Sequence, residues 1–381
     1  MTKKILYISG TRADYGLMRS VLFRINRHPD MDLHVAATGM HLMPEFGHTI
    51  DEIYRDGLAC HRVEATYTTD TQESMALFIG RFIEECVHLA EKIRPDFILL
   101  LGDRGEMLGG AVAGTYLGIP VLHLHGGEIT GTVDEIARHA ITKMSHIHLP
   151  ATQESAERII RMGEDPGRVH VVGAPGLDQV FETAFLSPDE ISERYHLNLS
   201  LPVILVVLHP VTLDAGDPAL QMRRMLEAIR DLGEQSIVIY PNADAGGRAM
   251  IEVIKMFEHC GNIQTFPSLA HQDFLSLLKI SSALVGNSSS GIIEAPSFGV
   301  PAVNIGPRQK GRQRGANVID CGYDKQEIVS AVRHALYDQE YRMQVLRAKN
   351  PYGDGKTGVR VVQLLEGIRV TPELIQKKMT Y

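Results

Sequence analysis

Residues Gly286 to Gly299 read GNSSSGIIEAPSFG, directly after the apolar run Ala283, Leu284 and Val285. Within the stretch Ile292, Ile293, Ala295 and Phe298 recur at helical spacing, so it reads as strand, turn and helix, the repeating unit of an α/β fold. A turn of small residues lets the backbone come close to a ligand. The first amides of a helix have no partner inside it, so an anion is the natural occupant. Ser288, Ser289 and Ser290 add hydroxyl donors, and Glu294 lies about one turn further on, where a carboxylate can accept from both hydroxyls of a ribose. The stretch points to a phosphorylated, nucleotide-linked ligand. It also fits a plain helix N-cap followed by a solvated glutamate.

The same alternation extends outward in both directions. Toward the C-terminus a strand from Pro301 to Ile305 leads into Gly306 to Gly315, GPRQKGRQRG, a basic loop, and helices follow from Lys325. Toward the N-terminus lie a helix over Gln272 to Lys279, a strand over Ile263 to Phe266, a helix from Gly247, a strand over Ser236 to Tyr240 and a helix over Ala219 to Leu232. The strand Val203 to Leu208, ending in His209 and Pro210, begins this half. A first half has its own alternation. Lys4 to Ser9 is a strand, the turn Gly10 to Gly16 (GTRADYG) follows, and Leu17 to Asn26 is helical. Strands are expected at Leu33 to Thr38, Asp96 to Leu101, Val121 to His125, Ile147 to Leu149 and Val169 to Val172, with Gly173 to Gly176 as the exit and a mobile loop over Glu64 to Glu73. The nearly all-apolar Asp96 to Leu101 suits a parallel sheet covered on both faces.

The expected architecture is two doubly wound Rossmann-like domains, 1–180 and 181–365, facing a cleft onto which the carboxyl ends of the strands open, with a C-terminal helix or tail, 366–381, packing back on the first domain. A chain of 381 residues is long for one core. Its 44% hydrophobic and 22% charged residues are ordinary for a soluble protein. The net charge of −8 and the lack of a basic run argue against nucleic acid as a partner. No apolar run approaches the ~18 residues of a membrane span, so a cytoplasmic location is expected. Cys60, Cys86, Cys260 and Cys321 are widely spaced, as buried reduced thiols would be.

Several strand-end loops carry chemistry. The first turn lacks the GxGxxG pattern of dinucleotide sites, and Arg12 suits either a phosphate clamp or a surface pair with Asp14. Asp103, Glu128 and Glu135 fall on strand-end loops of one domain. Paired carboxylates can divide into acid and base, as proton abstraction from carbon or protonation of a leaving oxygen requires. Asp103 could instead pair with Arg104. His123 and His125 would share one face at a strand end, a spacing that metal sites use, but with 17 histidines in the chain ordinary packing is preferred. His209 is a candidate phosphate ligand or acid/base group. Arg308, Lys310, Arg312 and Arg314 could complete a diphosphate site.

Taken together, these motifs resemble the UDP-N-acetylglucosamine 2-epimerase family, and more closely its hydrolysing branch. The likeness runs through GTRADYG at 10–16, LGDRGE at 101–106, HGGE at 125–128, DEIARH at 134–139, His209 with Pro210, PNADAG at 241–246, GNSSSG at 286–291, Glu294 and GPRQKGR at 306–312. The resemblance implies a glycosyltransferase-B-like fold whose second domain holds the nucleotide. Ser288 and Ser289 would contact the diphosphate, Glu294 the ribose, and Arg308 a phosphate or the uridine side; Asn242 joins this substrate-binding set, and Arg12 reaches the diphosphate from the first domain. Asp103, Glu128, Glu135 and His209 would be the acid/base groups.

The implied reaction is elimination of UDP to a glycal followed by hydration, giving a C2-inverted free sugar for sialic-acid-type biosynthesis, with no metal or redox cofactor. The branch implies UDP-N-acetylglucosamine or a UDP- or GDP-linked 2,4-diacetamido-2,4,6-trideoxy sugar of the legionaminic acid route. Met40, Met43 and Phe46 are candidates for an apolar wall facing a 6-deoxy group. A homodimer or homotetramer is implied. A glycosyltransferase of the same shape and a catalytically silent nucleotide-sugar sensor are the alternatives.

Overall fold

The computed structural model describes residues 2–69, 71–129, 133–182, 184–211, 216–242 and 244–380. Asp70 of the expected 64–73 loop, residues 130–132 ahead of Glu135 and Ala243 of the PNADAG stretch lie outside them. The chain divides into two compact units. One comprises Met1–Glu128, Val133–Phe181 and Tyr352–Tyr381, the other Ile129–Thr132 and Glu182–Pro351.

The first unit is built on β1 (Lys3–Ser9), β2 (Met31–Ala37), β3 (Ala59–Arg62), β4 (Phe97–Leu101), β5 (Val121–Leu124) and β6 (Ile147–Leu149), all parallel, in the order β3-β2-β1-β4-β5-β6. Alternate residues of β1 enter different cores. Ile5 and Tyr7 join Met18, Leu22, Val361 and Leu365. Leu6 and Ile8 join Phe78, Phe82, Met107 and Ile141. Both faces of the sheet are therefore covered, which is why the central strands read as unbroken apolar runs. The C-terminal helix Thr357–Gly367 belongs to the first core. Lys3 Nζ donates to the carbonyls of Leu365, Glu366 and Ile368 at 2.6, 2.8 and 2.8 Å, capping that helix with a positive charge where its dipole is negative.

The second unit repeats the plan with β7 (Val203–Val207), β8 (Gln235–Ile239), β9 (Ile263–Phe266), β10 (Ala283–Gly286), β11 (Ala302–Ile305) and β12 (Val318–Cys321), again parallel, ordered β12-β11-β10-β7-β8-β9. Two doubly wound sheets are thus present, as the alternation predicts.

Three local readings need correction. The stretch after β10 is not one helix but an α-turn, Ser290–Ile293, followed by a 3₁₀ turn, Ala295–Phe298. Pro296 has no N–H to continue the α ladder and its ring would meet the carbonyl four residues back, so the helix stops at Glu294. Val169–Val172 contributes only one bridge, His148 to Val169, because β6 is three residues long and offers little ladder to join. Pro175–Glu182 is a helix rather than a plain exit, with Pro175 in its first position, where a missing N–H costs nothing. All four cysteines are free thiols. Burial pushes Cys60, Cys86 and Cys321 up to about 12.

Candidate active site residues

In each sheet the strand order reverses beside the first strand, and loops at the carboxyl ends of the two strands flanking that point come together. In the first unit the pair is β1 and β4, which brings Gly10 against the loop Gly102 to Glu106. Gly10 has no room for a side chain. A Cβ there would overlap the Glu106 carboxyl group, and even Glu106 Cγ would be 2.8 Å away. Glu106 is completely buried, and Arg104 Nε donates to its Oε1 at 2.8 Å.

The turn after β1 is closed by Asp14. Its carboxylate accepts from the Gly10 and Thr11 amides at 3.0 and 2.7 Å, from Thr11 Oγ1 at 2.8 Å, and from Ser9 Oγ and Tyr7 OH. With Thr11 Oγ1 accepting from the Asp14 amide, this is a capping box for the helix Arg12–Asn26. Burial raises the Asp14 pKa against the opposing pull of the Ser9 and Thr11 bonds. Arg12 pairs with Glu52 at 2.6 Å rather than with Asp14. Asp14 is consumed by the turn.

At the ends of β4 and β5 one arginine holds the Asp103 carboxylate and the Glu128 main chain. Arg138, almost fully buried on the helix Val133–Met144, forms an ion pair with Asp103 and donates to the Glu128 carbonyl at 3.0 Å. Asp103 therefore does not pair with Arg104, whose partner is Glu106. Glu128 Oε1 lies 2.6 Å from His125 Nδ1. His125 adopts φ +59°, a left-handed conformation that costs a side-chain-bearing residue about 1 kcal/mol. This kink ends β5 at Leu124 and corrects the expectation that His123 and His125 share a face. His123 Nε2 is 2.7 Å from the Gly102 carbonyl, and burial pushes its pKa down to about 3. Glu135 sits on the same helix as Arg138, with Oε1 3.7 Å from His139 Nε2.

In the second unit the flanking strands are β7 and β10, and Val207 pairs with Gly286. Gly286 has φ +134°, and a Cβ there would overlap the Val207 carbonyl. The buried Asn287 then locks His209: its Oδ1 accepts from the His209 amide at 2.7 Å and its Nδ2 donates to the His209 carbonyl at 2.9 Å. The Asn242 amide donates to His209 Nδ1 at 3.1 Å, which leaves the ring proton on Nε2. Desolvation, then the Arg308 charge, push His209 down to about 3, so the ring is a neutral N–H donor. Arg308 Nη1 and Gln309 Nε2 reach the Asn287 carbonyl at 3.3 and 2.9 Å. His209, Asn242, Asn287 and Arg308 thus form one group.

Ser288 Oγ accepts from the Ser290 amide at 3.3 Å, while Ser289 occupies the N-cap position without capping the turn. The simple N-cap reading therefore fits Ser288 better than Ser289. Glu294 is buried at the junction of the two short turns. In the basic loop Arg312 Nη1 is 3.0 Å from Gln309 Oε1 and Arg314 pairs with Asp320, whereas Lys310 is exposed.

Reading the sequence missed Arg138, His125, Asn287 and Glu106 as parts of these groups. Three of them lie inside the quoted motifs DEIARH, HGGE and GDRGE, and Asn287 lies inside GNSSSG. Their roles depend on contacts between distant strand ends, which no local pattern shows. Among the described residues no group of three or more His, Cys, Asp or Glu is arranged around a metal position, and no helix is long and apolar enough to cross a membrane.

Residues 24–366 match the family model described as UDP-N-acetylglucosamine 2-epimerase. The chain is 40% identical over 382 aligned positions, covering all of both chains, to the UDP-N,N'-diacetylbacillosamine 2-epimerase (hydrolyzing) of Legionella pneumophila. It is 37% identical over 336 positions, 87% of each chain, to a UDP-N-acetylglucosamine 2-epimerase of Neisseria meningitidis. In fold it is similar to the crystal structure of UDP-GlcNAc 2-epimerase from Neisseria meningitidis bound to UDP-GlcNAc. The TM-score is 0.82 at 18% identity, over 95% of this chain and 99% of that one.

Proposed function

The chain belongs to the UDP-N-acetylglucosamine 2-epimerase family, and on that premise we propose that it hydrolyses a UDP-linked 2-acetamido sugar with inversion at C2. The observation that carries the reading is the placing of Asp103 and Glu128 at the ends of neighbouring strands by the buried Arg138, which pairs with the Asp103 carboxylate and donates to the Glu128 backbone carbonyl. A carboxylate takes the C2 proton while the C1–O bond breaks and its electron pair leaves with UDP, forming the C1=C2 glycal. Water then adds its oxygen to C1, and a proton reaches C2 on the opposite face, so the free manno sugar departs.

The base is one of Asp103, Glu128 and Glu135. His209 serves as a hydrogen-bond donor, since its Nδ1 is already engaged and its ring is neutral. Ser288 and Ser289 bind diphosphate oxygens, Glu294 the ribose, and Arg308 and Asn242 complete the nucleotide contacts. Arg12 takes a phosphate oxygen in exchange for Glu52, a half-buried pair whose rupture costs little.

The full-length similarity to the Legionella enzyme supports UDP-2,4-diacetamido-2,4,6-trideoxyglucose as the preferred substrate over UDP-N-acetylglucosamine. So do the half-buried Met40, Met43 and Phe46 on the 3₁₀ turns after β2, which offer apolar surface to a 6-methyl group. The reading makes this a homo-oligomeric cytoplasmic enzyme supplying a nonulosonic acid pathway. An NMR time course in deuterated water with each nucleotide sugar tests it. Free UDP together with a C2-inverted, C2-deuterated sugar is expected, faster from the diacetamido substrate. Intact nucleotide sugars in both tubes would refute it.

A further inference from the structure

The C-terminal tail meets the helix Val133–Met144, which carries Glu135 and Arg138, at one buried carboxylate. Glu164 keeps 2% of its side-chain surface. Its Oε1 accepts from Lys143 Nζ at 2.5 Å, and its Oε2 from Lys377 Nζ at 2.7 Å and from His148 Nε2 at 3.0 Å. Burial alone would raise this carboxyl, but the three donors outweigh it and hold the pKa down to about 2, so Glu164 stays ionised. Burial also lowers the His148 pKa, so that ring donates as a neutral group and the two lysines supply the balancing charge.

Both lysines grip main chain as well. Lys143, in the last turn of the helix, donates to the Met162 carbonyl at 3.0 Å. Lys377 donates at 2.9 Å to the carbonyl of Ser145, which follows the helix directly and bonds back to the Ile141 carbonyl through its amide and its hydroxyl at 2.9 and 2.7 Å. The tail is anchored on either side of Lys377. Arg168 donates to the Glu373 and Leu374 carbonyls at 2.6 and 2.8 Å, and the Thr380 amide donates to the Gly163 carbonyl at 3.1 Å. Parting Lys377 from Glu164 would leave a buried carboxylate short of a partner, so this clasp holds more firmly than a surface pair. A helix moves as a stiff rod, and Glu135 lies about 12 Å from Lys143 along it, by the rise of ~1.5 Å per residue.

We propose that Glu164 and Lys377 are positioning residues for the reaction: their clasp fixes the C-terminal end of the helix Val133–Met144 and so sets where Glu135 and Arg138 stand. The proposal rests on the proposed function and gives the tail a part in the chemistry.

The test is steady-state kinetics of Lys377→Met with a UDP-linked acetamido sugar, assayed well below its melting temperature, together with calorimetric UDP binding. A displaced helix should lower kcat roughly 10- to 100-fold, while KM and the UDP dissociation constant stay within about threefold. Lys377→Arg keeps the charge and a donor and should recover most of kcat. Thr380→Val removes the hydroxyl bond to the Glu164 carbonyl at 3.3 Å but leaves the clasp whole, so its kcat should stay within about twofold of wild type. Lys143→Met opens the same clasp from the helix side and should reproduce the loss, which decides the matter if Lys377→Met does not fold. Wild-type kcat in either folded lysine variant overturns the proposal. An equal fall in Thr380→Val, or no recovery in Lys377→Arg, also overturns it, since general loosening of the tail would then be the cause. Wild-type protein that releases no UDP from any nucleotide sugar overturns the function itself, a result distinct from these.

Discussion

Replacing Gly10 by alanine should damage the first unit out of proportion to one methyl group. The new Cβ would overlap the Glu106 carboxyl group, with Glu106 Cγ only 2.8 Å off. Gly10 has no positive φ, so the backbone itself would accept alanine; the cost comes from the contact. Glu106 has no exposed surface into which to move, and turning it away breaks its 2.8 Å bond from Arg104. A charge-assisted hydrogen bond is worth about 1.5–3 kcal/mol and overpacking about 1–3 kcal/mol, so a loss of about 3 kcal/mol is expected. For a unit of roughly 200 residues that lowers Tm by about 6–12 °C. Calorimetry and urea melts of Gly10→Ala, Glu106→Ala and the double variant measure it. Removing the Glu106 side chain makes room for the methyl group, so the double variant should be about 2 kcal/mol more stable than the sum of the single effects. Additivity within about 0.5 kcal/mol would refute the argument.

Glu128→Gln should lower kcat roughly 100- to 10,000-fold while leaving UDP affinity within about twofold, whereas Ser289→Ala should weaken UDP roughly tenfold; kcat and calorimetric UDP binding separate the two. Gly286→Ala forces a methyl group onto the Val207 carbonyl at φ +134° and should yield insoluble protein or lose more than about 3 kcal/mol, read from expression and urea melts. Acidification should destabilise the fold. Burial pushes His41, His123 and His146 down to about 4, 3 and 4, so between pH 6.5 and 4 the unfolded chain binds protons that the folded one does not. Stability is then fully present above about pH 6.5 and falls as pH drops. At pH 5.5 relative to pH 7.5 each contributes a loss of about 1.3 kcal/mol, ~4 kcal/mol together, measurable by urea titration at the two pH values.

The alternation of β-branched and leucine runs with amphipathic segments was enough to place ten of the twelve strands or most of their residues. Only β3 and β12, the short outer strands ACHR and VIDC, escaped, because an edge strand with half-exposed residues has neither an apolar run nor a clean alternation. Local chemistry also located the strand-end turns, since small residues and glycines at those points leave few other readings. Which polar residue meets which was not local information. Arg12 finds Glu52 and not Asp14, Asp103 finds Arg138 and not Arg104, and Asn287 grips His209 across 78 residues of chain. Those pairings follow from the parallel register and from the reversal of strand order beside β1 and β7, which brings distant loops to one edge. Composition and periodicity are properties of neighbours along the chain and determine elements, fold class and the small-residue turns. Ion pairs, the neutral state of His209 and the left-handed His125 depend on burial and on partners supplied by other strands, so they exist only once the sheets have closed.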